Sequence, residues 1–415
     1  MKKITAPLFS LLLAVILLTT FLGCQQVPAT TTETVTQTTT ETASHITSTL
    51  TSTATSTSIV STVYTTTTTS SAPPTTVVAT TTTTVAPAMQ QITDMYGNKL
   101  TVPAQINRVL STGPVETQLI YMLAPEKLCG LSSAWTGSPA YIPDAYSNIP
   151  VIGNASDGSF NFEAALATKP DIVIEGKTQN LALDKTNFGS VPVVGVNAGA
   201  SLLWDYEAEI TYVGNLLGVP DRAAALLAYY KAAMSYVTGI ASAIPNNQKV
   251  KVYYAEGNDG LQTDAQGSWH TNLLTYCGGI NVANVAVNNS SQAVQVSLEQ
   301  IATWDAGFGI NMIIIGRGSQ ATTYDTIVNP NSIWESLFAC VRNGKVYVRP
   351  ENPTSWFDGP PGYGQILGMY WMVKLLYPQQ TTGLDLNSKI KEFYSNFLHY
   401  NLTDAQVASL LANPA

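Results

Sequence analysis

Residues Phe160–Glu175 read FNFEAALATKPDIVIE, which predicts a short helix followed by a buried strand. Asn161 is placed to cap the start of the helix, and Glu163 in the first turn suits the positive end of the helix dipole. Lys169-Pro170 ends the helix, because proline lacks an amide proton and disfavours helix in the residue before it. The run Ile172–Ile174 is apolar without polar alternation, which is typical of a strand covered on both faces.

The same unit recurs downstream. Val296–Asp305 reads VSLEQIATWD and leads through a glycine-containing turn to the apolar run Met312–Gly316. Ser297 and Gln300 have the spacing of a capping box, and Glu299 repeats the acid of the first turn. Two copies of a helix–strand unit predict two similar α/β lobes.

The N-terminus has the features of an export signal. A basic start, Met1-Lys2-Lys3, precedes an apolar run that ends near Leu22, and Gly23-Cys24 follows. The run is too short for a transmembrane helix. Cys24 resembles the lipidated cysteine of a bacterial lipobox, although Phe21 replaces the usual leucine. We therefore predict a signal peptide over 1–24 and a lipid anchor on the outer face of the cytoplasmic membrane; the alternative is an ordinary signal peptide cleaved elsewhere.

The segment 25–89 is dominated by threonine, with serine, alanine and proline. It carries almost no charge and no periodic apolar face, so it cannot bury enough surface to fold. We predict a disordered tether, which is a candidate for O-glycosylation. A β-rich threonine domain is the alternative.

Composition limits the classes of partner. The 415-residue chain has a formal net charge of −8 and no basic run, so no nucleic acid is expected as a partner. Beyond Cys24 the cysteines are Cys129, Cys277 and Cys340, and this odd number with wide spacing argues against a disulfide framework or a zinc knuckle. One disulfide at most is possible, and buried thiols are the alternative.

Strands alternate with helices over 90–200 and again over 246–415, which predicts parallel, doubly wound sheets. Between them, 201–245 has little strand character, and Arg222–Ile240 carries apolar residues at helical spacing. The predicted fold class is α/β, with two doubly wound, Rossmann-like lobes joined by one long α-helix. Terminal helices complete the second lobe.

The order of short motifs resembles that of the solute-binding proteins of bacterial and archaeal ABC importers, in the class with a single helix between the lobes. The resemblance covers nearly all of Gln90–Tyr400. Its marks, each weak alone, are Ile92-Thr93-Asp94, Arg108-Val109, Glu163 with Lys169-Pro170-Asp171, Trp269-His270-Thr271, Gly278-Gly279-Ile280-Asn281, Leu298-Glu299-Gln300 and Gly344-Lys345-Val346. Two departures are Gly307–Asn311, which replaces a compact Pro-Asp, and the long aromatic loop Asn352–Gly364.

The resemblance implies a receptor that captures a metal chelate and delivers it to a permease dimer with its ATPase subunits. Iron–siderophore, haem and cobalamin or another corrinoid are the expected cargoes, and the receptor is expected to be a monomer. An oxyanion such as molybdate or tungstate is the alternative cargo. From another class, the alternatives are an exported hydrolase and a surface adhesion protein on a threonine-rich stalk.

The family binds its ligand between the lobes, against loops at the carboxyl ends of the strands. Five aromatic residues in such loops are candidates for the walls of a site for a flat or apolar chelate: Trp135, Tyr141, Trp269, Trp356 and Tyr363. For each of them the alternative is that it packs in the hydrophobic core of its lobe.

Polar candidates lie in the same loops. Ser111 and Thr112 follow the first strand, and Lys177 follows the strand of the opening stretch. Arg317 directly follows the second lobe's apolar strand and is placed to grip a carboxylate or phosphate; a surface ion pair is the alternative for both cations. His270 is a candidate ligand for iron or cobalt, or a donor to an oxyanion, and capping of a helix is the alternative.

The resemblance gives Glu163 and Glu299 a specific role, because one acid on each lobe of the family faces arginines of the permease. The alternative is that each acid only stabilises its own helix, by about 0.3 to 1 kcal/mol.

No catalytic set is evident. The histidines are His45, His270 and His399, and no Ser/Cys–His–acid combination or Gly-x-Ser-x-Gly turn accompanies them. Three dispersed histidines also do not form the histidine-rich site of a receptor for bare zinc or manganese. No phosphate-loop motif is present, so we expect no enzyme, no cofactor and no resident metal.

Overall fold

The structure is a computed structural model of the chain. It describes residues 34–42, 45–47, 60–62, 77–85, 88–197, 206–287, 293–316, 320–358 and 362–413. The chain divides into two compact units, Met1–Pro87 and Ala88–Ala415. No helix among the described residues is long and apolar enough to cross a membrane.

The first unit contains a four-stranded antiparallel sheet with the order β2-β1-β4-β3. Its strands are β1 (Thr34–Thr42), β2 (His45–Thr47), β3 (Val60–Thr62) and β4 (Val77–Val85). This pairing differs from the disordered segment predicted over 25–89. Threonine is β-branched and favours extended backbone, so a threonine-rich segment can form ladders without a hydrophobic core. The role as a tether stays a prediction.

The second unit begins with a hairpin and a parallel sheet. The hairpin pairs β5 (Met89–Thr93) with β6 (Lys99–Pro103). The sheet has the order β7-β8-β9, formed by β7 (Val109–Ser111), β8 (Ile172–Glu175) and β9 (Val193–Gly195). Its accompanying helices are α1 (Pro114–Leu123), α2 (Asp144–Ser147), α3 (Phe162–Ala167) and α4 (Leu181–Phe188).

The local structure predicted for Phe160–Glu175 is confirmed. The Asn161 carboxamide accepts a hydrogen bond from the Ala164 amide at 2.9 Å and so caps α3. Every residue of β8 is buried, because both faces of this central strand are covered.

A helical segment follows, with α5 (Tyr206–Leu216) and the 24-residue α6 (Pro220–Ala243). The long predicted helix is therefore present and extends slightly beyond Arg222–Ile240. It buries one stripe, with Leu226, Ala233 and Val237 fully enclosed. This stripe packs against α5 and against the helix Gln365–Leu376 of the second lobe.

The second lobe is built on a parallel sheet with the order β12-β10-β14-β15. These strands are β10 (Lys251–Ala255), β12 (Ile280–Asn281), β14 (Met312–Ile315) and β15 (Val346–Val348), and a separate short ladder pairs β11 (Gln262–Thr263) with β13 (Val294–Gln295). The helices are α7 (Asn272–Tyr276), α8 (Leu298–Phe308), α9 (Gln320–Val328), α10 (Ile333–Leu337), α11 (Ala339–Arg342), α12 (Gln365–Leu376), α13 (Leu386–Phe397) and α14 (Asp404–Leu411). The two parallel sheets confirm the predicted fold class.

The segment Gly307–Asn311 before β14, which replaces the compact Pro-Asp usual in the family, has a structural explanation. In the first lobe, the Asp171 carboxylate accepts hydrogen bonds from the backbone amides of Asn107 and Arg108, at 2.7 and 2.9 Å. In the second lobe, the Asn311 carboxamide oxygen accepts one from the amide of Lys251 at 2.8 Å. The residue before each central strand therefore ties that strand to the start of its neighbour, and asparagine replaces aspartate in this role.

The long loop Asn352–Gly364 reaches from the second lobe to the first. The Asn352 carboxamide accepts from the Tyr141 amide at 2.6 Å and donates to the Pro139 carbonyl at 3.1 Å. The Thr136 amide donates to the Pro353 carbonyl at 3.0 Å. The loop then leads into α12, where the absence of a side chain at Gly368 lets the helix pass close to the Trp356 carbonyl.

We expect Gly368→Ala to destabilise the protein by at least about 1 to 3 kcal/mol, as overpacking of a core does. The added Cβ would lie 1.8 Å from the Trp356 carbonyl oxygen, and backbone cannot move as easily as a side chain. Gly239→Ala is the matched control, because Gly239 is exposed on α6 and its Cβ would meet no atom within 4 Å. That change should stabilise by up to about 1 kcal/mol. Urea unfolding measures both, and equal effects of the two changes would contradict the packing described.

Candidate functional site

The carboxyl edge of the first-lobe sheet carries buried polar groups. Ser111 ends β7 and shares a hydrogen bond of 2.6 Å with the Thr117 hydroxyl. The Thr112 hydroxyl donates a very short hydrogen bond to the carboxylate of Glu175, which ends β8. All four side chains are buried. The structure thus brings the predicted residues Ser111 and Thr112 together with an acid that was not singled out in the sequence.

Two further buried acids, Glu116 and Asp184, interact with Glu175. Burial raises the pKa of Glu116 to about 7, and the negative charge of Glu175 adds to the effect. Burial also raises the pKa of Asp184 to about 8, with the hydrogen bond and charge of Glu175 acting in the same direction. A third acid, Glu209 on α5, is buried and accepts a very short hydrogen bond from the Tyr363 hydroxyl. This edge of the first lobe is therefore rich in carboxyl groups held away from water.

The second-lobe edge contains His270, which is only 2 % exposed. Its Nδ1 lies 2.6 Å from one oxygen of Asp358, whose other oxygen accepts from the Tyr254 hydroxyl at 3.1 Å. The other ring nitrogen, Nε2, is buried and has no hydrogen-bond partner. The alternative interpretation of His270 as a helix cap is wrong: the Ser268 side chain caps the short 3-10 turn Trp269–Thr271 by accepting from the His270 amide, and no side chain caps the start of α7.

A third side chain completes this group. Asp264 is buried and accepts from the Ser268 hydroxyl at 3.4 Å. One ligand atom from each of Asp264, His270 and Asp358 lies within 4.8 Å of those of the other two. The group contains donors that suit a transition-metal ion.

The aromatic candidates divide into two groups. Trp269 is half-buried, and its ring centroid lies 4.0 Å from that of His270. Trp135 is also half-buried and packs against Tyr121 with centroids 4.6 Å apart. The remaining three belong to the hydrophobic core, which corrects their interpretation as open walls: Tyr141, Trp356 and Tyr363. Large rings in the loop are buried because the loop itself packs between the lobes.

The cations are placed differently from one another. Lys177 is exposed; its amide donates to the Glu175 carboxylate at 2.5 Å and its ammonium group to the Ser156 hydroxyl at 2.8 Å. Arg317 lies outside the described residues. The sequence analysis missed Arg349, which directly follows β15 and is buried in an ion pair of 2.7 Å with Glu351. Its position after an apolar strand is the signal that could have identified it.

The two candidate docking acids are exposed, and each lies in the first turn of its helix, Glu163 in α3 and Glu299 in α8. The capping box of Ser297 and Gln300 is present as predicted, and a hydrogen bond with the Ser297 side chain lowers the pKa of Glu299. Cys24 lies outside the described residues. Cys129, Cys277 and Cys340 are all buried free thiols, so the structure places no disulfide among them.

The buried acids that were not identified from the sequence include Glu116, Glu175, Glu209, Asp264 and Asp358. Glu175 had a signal, since it ends the apolar run of the opening stretch. Asp264 and Asp358 are separated by long stretches of chain, and only the folding of the second lobe brings both to His270.

The chain has two sheets with polar carboxyl edges, a long helix between them and a loop that crosses from one lobe to the other. These features define a two-lobed solute-binding protein. Comparison with known proteins agrees. The family profile described as "Periplasmic binding protein" matches residues 109–353, more than half of the chain, and the chain belongs to this family. This family comprises solute-binding proteins of ABC transporters.

Among curated proteins, the chain is 22% identical over 330 residues to the molybdate-binding protein MolA of Haemophilus influenzae, covering 74% of this chain and 90% of that one. It is 24% identical over 204 residues to the vitamin B12-binding protein of Vibrio parahaemolyticus, covering 48% of this chain and 68% of that one. Among solved structures, an ABC transporter solute-binding protein of Sulfurospirillum deleyianum is 28% identical with a TM-score of 0.69, covering 77% of this chain and 98% of that one.

We expect the stability of the wild-type chain to fall as the pH rises from about 4.5 to about 7 through the Glu116 carboxyl. Its pKa is raised on folding, so the folded state holds the proton at a pH where the unfolded state has lost it. The stabilisation is full below about 4.5, the ordinary pKa, and is lost as the pH rises through about 7.

Glu116→Gln removes this titration and should flatten the profile in that window, by up to about 1.4 kcal/mol per pH unit. Thermal unfolding of both proteins across the window measures the difference, in which the contributions of the other titrating groups cancel. Parallel profiles would contradict the buried, proton-binding state of Glu116.

Proposed function

We propose that the protein is an extracytoplasmic receptor of an ABC importer that captures a metal chelate between its lobes and delivers it to the permease. Iron–siderophore, haem and a corrinoid such as cobalamin are the candidate cargoes. The observation that carries the proposal is the set of buried carboxyl groups and one imidazole at the carboxyl edges of both sheets. Carboxylate oxygens and imidazole nitrogens attract metal ions and N–H donors of a ligand.

The electrostatics favour a metal-containing cargo over a free oxyanion. Glu116, Glu175 and Glu209 surround the first-lobe edge, and Asp264 and Asp358 lie at the second. A tetrahedral oxyanion needs N–H donors and positive charge, and nearby carboxylates repel it. The buried cation of the described second-lobe edge, Arg349, is already paired with Glu351.

Molybdate or tungstate is the second candidate cargo, and the similarity to MolA over 90% of its length supports it. In this alternative Arg317, His270 and backbone amides would hold the anion, and the raised pKa values of Glu116 and Asp184 would lessen the negative charge nearby.

Binding without catalysis is supported by the surroundings of His270. Its pairing with Asp358 is like two members of a hydrolytic triad, but no described serine or cysteine side chain bonds to the buried Nε2 atom. The exported hydrolase therefore lacks a nucleophile at this point. A surface adhesion protein does not account for polar groups buried at the strand ends.

Calorimetric titration of the full chain with cobalamin, haem, ferric siderophores and molybdate tests the cargo. We expect one chelate to bind with a dissociation constant of about 1 μM or tighter, and molybdate not to bind. Trp269→Ala should weaken chelate binding at least about tenfold, because a half-buried ring beside His270 provides apolar contact. Binding of molybdate alone would support the oxyanion alternative, and no binding to any of these ligands would contradict both.

Docking on the permease is proposed for Glu163 and Glu299. They are exposed acids on matching helices of the two lobes, which suits a surface that meets a pair of permease subunits. Complementary charges fix the register of such an interface, and like charges placed in contact cost several kcal/mol.

The double change Glu163→Lys with Glu299→Lys should lower cargo uptake by cells at least about tenfold and leave cargo affinity unchanged, because it alters the docking contact alone. The matched control is Asp144→Lys with Asp325→Lys, which makes the same charge change at exposed acids of the two lobes. Uptake should survive in the control. Equal uptake by both double variants would remove the docking role.

Lipidation at Cys24 and a tether over 25–89 complete the proposal. Together they would hold a monomeric receptor at the outer face of the cytoplasmic membrane, within reach of the permease.

A further inference from the structure

The second-lobe sheet carries cations at its amino edge, which lies opposite the carboxyl edge described above. Lys251 begins β10, and Lys345 directly precedes β15. The strand β14 lies between them and bonds to both. The Asn311 amide donates to the Lys251 carbonyl at 2.9 Å, and the Ile313 amide donates to the Lys345 carbonyl at 2.9 Å. The backbones of the two lysines are therefore two strand spacings apart, about 10 Å.

Two helices of this lobe expose apolar side chains. Phe308 is the last residue of α8 and is 50 % exposed. Ile333 and Leu337 on α10 are 57 % and 43 % exposed, and their spacing of four residues places them on one face of that helix. Grouped apolar side chains mark a contact surface, whereas single ones are ordinary, so their grouping decides what they mean.

The two helices cover the same face of the sheet. Trp304 of α8 and Trp334 of α10 both pack against the ring of Tyr253, with centroids 6.3 and 6.1 Å away. Lys251 lies two residues before Tyr253 in β10, so its side chain projects from that face as well. One cation of the amino edge and both apolar helices are therefore on the same side of the lobe.

Arg342 of α11 connects the charged and the apolar groups. Its guanidinium donates to the Ser336 carbonyl at 3.0 Å, next to Leu337. Burial raises the pKa of the Cys340 thiol to about 11; the negative charge of Asp305 acts in the same direction and the positive charge of Arg342 against it. Both charges are therefore near this thiol, and Asp305 lies one turn before the end of α8.

We call this surface the basic pole, and it comprises Lys251, Phe308, Ile333, Leu337, Arg342 and Lys345. Two acids lie beside it, Asp305 and Glu335, and each accepts a hydrogen bond from a backbone amide, at 2.6 and 2.7 Å. None of the three cations of the pole forms an ion pair with a carboxylate of the described residues. The whole chain has 19 Lys and Arg against 27 Asp and Glu, so an excess of cations here departs from its overall balance.

We propose that the basic pole contacts a membrane surface with anionic lipid headgroups. Lysine and arginine are attracted to the phosphates of such a surface, and exposed apolar side chains enter the boundary between headgroups and acyl chains. A free phosphate would engage the cations alone and leave the apolar side chains in water. A second copy of this acidic chain is the competing occupant.

The basic pole acts in addition to the lipid anchor proposed at Cys24, and it rests on that proposal for its access to a membrane. Helix α8 has 11 residues and is about 16 Å long. Glu299 lies in its first turn and Phe308 at its other end. The pole thus orients the receptor on the membrane without covering the proposed docking acid.

Quenching of tryptophan by lipids with brominated acyl chains tests the contact in the full chain, because it reports one position even when the N-terminus is also inserted. The probe is Phe308→Trp on vesicles of phosphatidylcholine and phosphatidylglycerol in equal parts. Leu183→Trp is the matched control, since Leu183 is a 63 % exposed apolar residue of the first lobe. Relative to the wild type, we expect added quenching at least about twofold greater for Phe308→Trp, and a decrease at high salt.

Charge reversal tests the role of the cations. Lys251→Glu with Lys345→Glu in the Phe308→Trp protein should remove the added quenching, because the anionic surface then repels the pole. Lys99→Glu with Lys185→Glu makes the same charge change at exposed lysines of the first lobe and should leave the quenching in place. If thermal unfolding shows that the first pair does not fold, the exposed Lys345→Glu alone decides the question.

The outcomes separate the pole from the receptor proposal. Equal quenching in the Phe308→Trp and Leu183→Trp proteins, or quenching that survives Lys251→Glu with Lys345→Glu, would overturn the membrane contact. A dimer that this double change dissociates would assign the pole to a second copy and would also overturn it. Cargo binding without quenching of Phe308→Trp would leave the receptor intact, whereas quenching with no cargo bound would support the pole alone.

Discussion

Parallel strands constrain this molecule because they place all their carboxyl ends at one edge of the sheet. In the first lobe this edge collects Thr112 after β7 and Glu175 at the end of β8. In the second lobe it collects Glu256 after β10 and Arg349 after β15, both buried. Loops at such an edge are free of the packing that fixes strand interiors, so they can carry polar groups without disturbing the sheet.

Burial then determines the chemistry of these polar groups. Carboxyl groups removed from water hold their protons more tightly, and neighbouring acids strengthen the effect, as the raised pKa values of Glu116 and Asp184 indicate. In the second lobe, hydrogen bonds from Tyr254 and Ser268 hold the aspartates around His270. The two edges therefore offer oxygen and nitrogen acceptors in surroundings of low polarity, where their interaction with a cation is stronger than in water.

The crossing loop couples the two lobes. Asn352 bonds backbone groups near Tyr141 in the first lobe, and Tyr363 bonds Glu209 on α5. Asp358 lies between these two attachments and contacts His270. The length and aromatic content of the loop, which stood out in the sequence, are explained by its burial between surfaces of both lobes rather than by open rings facing a ligand.

The sequence by itself determined the local structure of the α/β lobes. Short-range rules of hydrogen bonding and periodicity predict three kinds of feature, and all are present. These are helix capping by Asn161 and Ser297, the buried strands β8 and β14, and the long helix α6. Those rules act over a few residues, so they can be applied without knowing the fold. Only the tertiary structure decided that Trp356 and Tyr363 are core and that Asp264 and Asp358 meet at His270. Asp264 and Asp358 are 94 positions apart. Contacts between residues so distant in sequence depend on how whole elements pack, which no local pattern encodes.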